Sequence, residues 1–585
     1  MHRFSLALLT LLACCPPDTA PAAEPGGDLV TVSERSGFRT TGRYEEVARL
    51  CRAFAQRFPS EARCFSFGTT PEGRTLWALA VSGDGTLTPA QARAARRPVI
   101  LAQGGIHAGE IDGKDAGFLV IRELLTAKSP TLRAATLLFV PVFNADGHER
   151  FGRWNRPNQN GPEEMGWRTT AQNFNLNRDY AKADAPEMRA LLRLLSSWDP
   201  TVYADLHATD GAQFEHDVAI LSEPREGGDR EVAALGDTIR DAVIARLASK
   251  GSLPLPYYPS FNVTDDPASG IDAAPGQPRF SIAYWGLSNR VALLVETHSW
   301  KDYPTRVRIT AEILRGLMDL AARDGAKWLA TMRAADERAA ALAGKDYPLA
   351  FGVTDEVRIV DFRGYAYERV QSEVSGALMT RYDTSRPQIW RMPLKDRARV
   401  TFAAQAPGKG YVLPPAVAAW LVPRLEDHGI RHQPLEGANG ATRVWRARTA
   451  TPGTSTFEGH TLFKLEGEWG VESVAPAPGS VLVPIAQPKA RLVMALLEPQ
   501  APDSYAAWGF FATAFEKKEY MEPYVAEDVA KQMLAADPGL KREFEQRLAS
   551  DAAFAQDPDA RLEFFYRRHA SWDTNYNRYP VYRLE

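Results

Sequence analysis

Between Gly37 and about Gly344, short apolar runs alternate with longer stretches of helical periodicity, and this alternation limits the fold more than any other feature. Candidate strands are Arg63–Phe67, Leu76–Val81, Val99–Ala102, Thr136–Val142, Val202–Leu206 and Val291–Glu296. Candidate helices are Tyr44–Phe58, Asp115–Ala127, Ala185–Ser197, Asp229–Lys250 and Thr305–Arg323. Strands separated by helices predict an α/β domain with a mixed, largely parallel central sheet and helices on both faces. Sheets of that kind gather ligands in the crevice at the carboxyl ends of their strands.

Four residues sit at such ends. Gly104-Gly105-Ile106-His107-Ala108-Gly109-Glu110 follows one apolar run and precedes a helical stretch, which reads as strand, tight turn, helix. His207 closes a second run and Glu296 a third. An imidazole and a carboxylate three apart supply two ligands of a common catalytic zinc site. With ten histidines in the chain, one H-x-x-E match arises easily by chance. A single strand-end histidine or glutamate is also usually structural or solvated. It is the shared position of His107, Glu110, His207 and Glu296 that points to a site.

The motifs also recur in a recognisable order. After G-G-I-H-A-G-E come Asn144-Ala-Asp-Gly147, Trp167-Arg168, Asn177-Arg178, Asp205-Leu-His207 and the strand-end Glu296. Over roughly residues 40–320 the chain resembles the zinc carboxypeptidases, the carboxypeptidase A-like metallopeptidases. The resemblance implies one zinc ion held by His107, Glu110 and His207, polarising the scissile carbonyl and acidifying its water. It implies Glu296 as general base and Arg168 as the cation that stabilises the oxyanion, with Arg156 a second cation nearby. Asn177 and Arg178 resemble the pair that grips a substrate's free C-terminal carboxylate, a task suited to a guanidinium fork. The bland alternative for Arg178 is a surface pair with Asp179. The implied substrates are the C-termini of peptides or proteins.

Two departures from the family pattern bear on this reading. The aspartate that usually supports the first zinc histidine is here Asn175, which should make His107 a weaker ligand unless Asp205 compensates. The substrate-capping tyrosine has no counterpart near Ser269–Ala274, and Tyr257-Tyr258 lie farther upstream. Two other functions therefore stay open: an amidase acting on peptidoglycan stem peptides or other non-standard amides, and a non-catalytic binding protein on the same fold. No H-E-x-x-H, G-x-S-x-G or G-x-x-x-x-G-K-[ST] motif occurs.

The rest of the chain sets the context. Its 585 residues suffice for several domains: 28–345 read as catalytic, 346–500 as a smaller β-rich domain, and 501–585 as a helical segment packing on both. Helices are expected there at Ser504–Lys518, Val525–Ala536 and Leu540–Ala549. A net charge of −3 without a Lys/Arg stripe argues against nucleic acid as a partner. Residues 1–23 read as a signal peptide, with a basic start, an apolar Phe4–Cys15 and small residues at Ala20–Ala23. The chain is therefore expected to be exported, periplasmic or secreted, with no transmembrane span once mature. Lipid attachment at Cys14 is the second reading. Cleavage would leave only Cys51 and Cys64, which suggests one disulfide, the alternative being two buried thiols. Little room remains before Tyr44 for an inhibitory prodomain, so none is expected.

Overall fold

A computed structural model describes residues 29–437, 441–472 and 474–585. The expected signal peptide and Cys14 lie outside the described residues. Nine strands belong to the first half of the chain: β1 (Ala62–Thr69), β2 (Thr75–Val81), β3 (Val99–Gly104), β4 (Thr136–Val140), β5 (Val202–Thr209), β6 (Val218–Glu223), β7 (Pro254–Leu255), β8 (Ile271–Asp272) and β9 (Val291–His298). All but β8 form one sheet in the order β1-β2-β4-β3-β5-β9-β6-β7. Its centre, β4-β3-β5-β9, is parallel, while β1, β2 and β6 run antiparallel to their inner neighbours. The sheet is mixed, as the alternation of apolar runs requires.

Successive side chains of a strand point to opposite faces, and here that splits the core in two. Ile100 and Ala102 of β3, Ala204 and Leu206 of β5, and Leu293 and Val295 of β9 pack with the helices Tyr44–Arg57, Asp112–Thr126, Arg230–Ser249 and Tyr303–Ala340. The intervening residues Leu101, Tyr203 and Ala292 face the helices Pro186–Trp198 and Ser281–Gly286. Gln103, Asp205, His207, Leu294 and Glu296 continue that second set, so the polar site grows out of this face. Cys51 on the first helix and Cys64 on β1 are joined by a disulfide, with Cα atoms 5.3 Å apart.

The later chain adds β10 (Asp346–Val353), β11 (Arg358–Gln371), β12 (Leu378–Lys395), β13 (Ala398–Gln405), β14 (Gly410–Leu413), β15 (Gln433–Pro434), β16 (Thr442–Phe457), β17 (His460–Val471), β18 (Val481–Pro484) and β19 (Arg578–Leu584). β10 pairs with β13, and the β11–β12 hairpin takes β8 of the first half as its third strand. A six-stranded sheet runs β15-β18-β14-β19-β16-β17. The expected helix over Ser504–Lys518 is instead a run of turns with a short 3-10 helix at Ala512–Phe515. Gly509 there has φ +81°, and a Cβ would lie 2.6 Å from the Thr461 carbonyl of β17, so the chain turns tightly against that strand. Helices do follow at Pro523–Ala536 and Pro538–Ser550, but the chain ends as β19, inside the sheet. Among the described residues no helix is long and apolar enough to cross a membrane.

One apolar cluster runs from the site-bearing face of the first sheet, through Trp285 and Tyr284, to Tyr411, Trp445 and Tyr579 of the second. At its far side Glu498 is buried and accepts hydrogen bonds from Arg583 (Nη2, 2.6 Å), Trp469 (Nε1, 3.1 Å) and Tyr411. Three strands thus converge on one carboxylate. Replacing it leaves Arg583 buried without its anion, so Glu498→Ala should cost about 3–5 kcal/mol, read as a lower midpoint in urea unfolding.

Candidate active site

Gly105 ends β3 at φ +62°, which turns the chain sharply so that His107 and Glu110 point back across the strand ends. A Cβ on Gly109 would lie 2.6 Å from Arg156 Cγ and 2.7 Å from the Gly166 carbonyl, so the turn packs directly against segment 156–166. β5 brings in His207, and β9, paired parallel to it, sets Glu296 directly beside His207. His107, Glu110, His207 and Glu296 are all buried.

The two imidazoles and the carboxylate face one another. His107 Nδ1 lies 2.9 Å from Glu110 Oε1, and His207 Nδ1 lies 2.9 Å from Glu110 Oε2. One donor atom from each residue falls within 4.8 Å of the others. Zinc bound at ~2.0–2.2 Å to such donors would set tetrahedral neighbours ~3.3 Å apart, so this group fits the ion. The opposite ring nitrogens are also held: His107 Nε2 by Asn175 Oδ1 at 3.1 Å, and His207 Nε2 by Asp205 Oδ2 at 2.8 Å. These contacts fix both rings with Nδ1 toward the common point. Asn175 thus stands where a supporting carboxylate was missed in the sequence, and Asp205 gives that support to the other histidine. Asp205 is itself steadied by Gln103 Nε2 at 3.1 Å.

Charges follow from burial and neighbours. Burial lowers the His107 pKa to about 4, which keeps the ring neutral, as a ligand must be. Burial works against a charge on His207 too, but the Asp205, Glu110 and Glu296 carboxylates outweigh it and raise its pKa. Burial disfavours ionised Glu110, yet His107, Arg156 and His207 hold its pKa well below the usual range. Glu296 moves upward, first through burial and then through the carboxylates of Glu110, Asp205 and Asp210.

The remaining predicted residues line the same cavity of about 390 Å³. Arg156 reaches Glu110 at 2.9 Å, and Arg168, half-exposed, stands 3.6 Å from the same oxygen. Asn177 is buried, and its Oδ1 accepts from the Ser281 amide at 3.2 Å. Arg178 donates to the Asn177 carbonyl at 2.7 Å and lies over the Phe280 ring at 4.5 Å. It does not pair with Asp179, which is taken by Lys182 and by the amides of Asp184 and Ala185. Among the described residues Arg178 has no ion-pair partner.

Two further residues meet the site, and neither was assigned to it in the sequence. Tyr258, noted in the sequence only as lying far upstream, lines the cavity, and its hydroxyl accepts from Thr209 Oγ1 at 3.0 Å. Glu458 forms with Gly459 the two-residue turn of the β16–β17 hairpin, both at positive φ. Its Oε2 accepts from the Asn175 amide at 3.2 Å. The second sheet thereby touches the segment that orients His107. Only distance in sequence hid this contact.

Residues 47–231 match the model of the zinc carboxypeptidase family, peptidase M14. Among curated relatives, an inactive metallocarboxypeptidase, ECM14, of Ajellomyces capsulatus (strain H143) is 26% identical over 249 residues, 37% of this chain and 40% of that protein. Carboxypeptidase D of Mus musculus is 23% identical over 221 residues, 35% of this chain and 14% of the relative. The chain thus spans less than half the length of the curated relatives it matches. A crystal structure of carboxypeptidase A from Helicoverpa armigera is 15% identical, covering 49% of this chain and 74% of its own, with a TM-score of 0.35.

If Asp205 holds His207 as a ligand, Asp205→Asn should weaken zinc binding about 10–100-fold in competition with a chromogenic chelator. Unchanged affinity would mean that the contact is packing alone.

Proposed function

We propose that this zinc carboxypeptidase-family chain is an active, single-zinc metallocarboxypeptidase that removes residues from peptide C-termini. The observation that carries the reading is one cavity with the His107–Glu110–His207 group and Glu296 at one side and an unpaired, half-buried Arg178 at the other. A zinc ion in that group would polarise the scissile carbonyl and acidify the attacking water. Glu296 takes the water's proton at a carboxylate oxygen and passes it to the leaving amine. Such transfer is worth about 10²–10⁴ in rate. Arg168 steadies the developing oxyanion. Arg178 receives the substrate's terminal carboxylate, and Asn177 shapes the same end. A binding site with no turnover would need neither Glu296 nor this spacing of charges.

A second reading, a chain that binds peptide ends without cleaving them, draws support from a relative named as inactive and from Asn175 in place of an acid. Blocked dipeptides decide between them. The proposal expects hydrolysis of substrates with free C-termini and little of their amides. Glu296→Gln should keep zinc and lose about 10²–10⁴ in kcat. Full zinc content with no turnover in the unaltered protein would establish the binding reading. Equal turnover of amides would remove the role of Arg178 and favour the amidase.

A further inference from the structure

Asp210, Tyr258 and Ser260 border the cavity described above. They come from two connecting segments, 210–217 between β5 and β6 and 256–270 between β7 and β8. The longer segment contains one short 3-10 helix, Pro267–Ser269, and is otherwise irregular. Ordering irregular chain costs conformational entropy residue by residue, so contacts from outside the segment have to hold it in place.

Both segments rest on the β11–β12 hairpin. Phe214 bridges to Gly364 of β11, the Glu215 amide donates to the Arg363 carbonyl at 3.0 Å, and the Arg363 amide donates to His216 Nε2 at 3.1 Å. In the longer segment, Phe261 meets Trp390 of β12 edge-on, with ring centres 6.2 Å apart. That segment ends where β8 joins β12, Ile271 beside Leu394 and Asp272 beside Lys395. Between these anchors lies Asp265, at φ +60°. Its turn is closed by the Asp266 amide on the Val263 carbonyl, which leaves the Asp265 side chain for the hairpin. Tyr382 Oη donates to Asp265 Oδ1 at 2.8 Å, and the Thr380 amide donates to Oδ2 at 3.0 Å. The Asp265 carbonyl accepts from Arg369 Nη1 at 2.6 Å and from Thr380 Oγ1. Arg369 of β11 pairs in register with Thr380 of β12, so both strands of the hairpin grip this one residue.

We propose that Asp265 is a positioning residue for substrate binding, through which the β11–β12 hairpin holds Tyr258 and Ser260 at the cavity. This rests on the carboxypeptidase reading above for its kinetic readout. A peptide that enters a cavity whose wall is already ordered does not have to order it, and such preorganisation strengthens binding. His107, Glu110, His207 and Glu296 sit on or beside β3, β5 and β9, to which Asp265 makes no hydrogen bond among the described residues. Binding should therefore respond to Asp265, and the chemical step should not.

The test uses the full, zinc-loaded chain and a blocked dipeptide with a free C-terminus. Asp265→Gly removes the carboxylate and keeps a residue at ease at positive φ. Tyr382→Phe removes one of the bonds without altering the segment itself. The expected result is a KM raised about 10-fold in Asp265→Gly and less in Tyr382→Phe, with kcat and zinc affinity unchanged. Asp383→Ala, on the same hairpin but with its carboxylate bonded to Ser385 and Arg386, should leave KM as it is. An unchanged KM in Asp265→Gly would overturn the proposal. So would a rise that Tyr382→Phe does not share, or a loss of zinc affinity alongside, which marks a purely structural role. Hydrogen exchange reads the same point without turnover, since amides of residues 257–261 should exchange faster in both variants. If nothing is hydrolysed, faster exchange there still supports the role of Asp265, and unchanged exchange overturns it. The carboxypeptidase reading fails separately, by the absence of hydrolysis.

Discussion

Glu110 holds a buried negative charge between two imidazoles, and the cost of burying it shapes the surrounding structure. The His107 and His207 rings face its two oxygens at 2.9 Å, Arg156 approaches at 2.9 Å, and the Ala208 amide donates at 3.1 Å. A carboxylate in such a place is tolerated only when paired and hydrogen-bonded on several sides. That requirement explains why the Gly105 turn, the end of β5 and segment 156–168 all converge on it. The same convergence makes a dication the natural occupant of the group, since two ring nitrogens and an oxygen are already aimed at one point.

Support extends outward in layers. Asn175 and Asp205 set the rings, Gln103 sets Asp205, and Glu458 sets the Asn175 backbone. The last contact comes from the second sheet, which shares one apolar cluster with the site-bearing face. The later half of the chain therefore packs against the segment that orients His107. Its β10 borders a cavity behind Glu223 of β6, and its β16–β17 turn meets the segment that carries Asn177 and Arg178.

Much of this was legible in the sequence because it depends on local rules. Apolar runs gave β3, β5 and β9, and polar residues directly after them marked the strand ends where His107, Glu110, His207 and Glu296 gather. Of the long helix Tyr303–Ala340, the part Thr305–Arg323 was expected, and beyond it a charged surface face interrupts the apolar pattern. β6 was missed, though Val218-Ala-Ile-Leu is apolar, and its antiparallel pairing with β9 is not a local feature of the sequence. Tyr258 was set aside for its distance from Glu296, a distance that loop length alone decides. Glu458 carried no local signal at all, because it reaches Asn175 from the far end of a hairpin. Pattern reveals which residues end a strand, whereas contacts between distant segments need the fold.

The central claim is that His107, Glu110 and His207 form a zinc centre, and zinc-edge anomalous diffraction from crystals of metal-loaded protein tests it most directly. The account predicts one strong peak about 2.0–2.2 Å from His107 Nδ1, His207 Nδ1 and a Glu110 oxygen. No peak at that point after loading with zinc, or a peak bound by other residues, would contradict it.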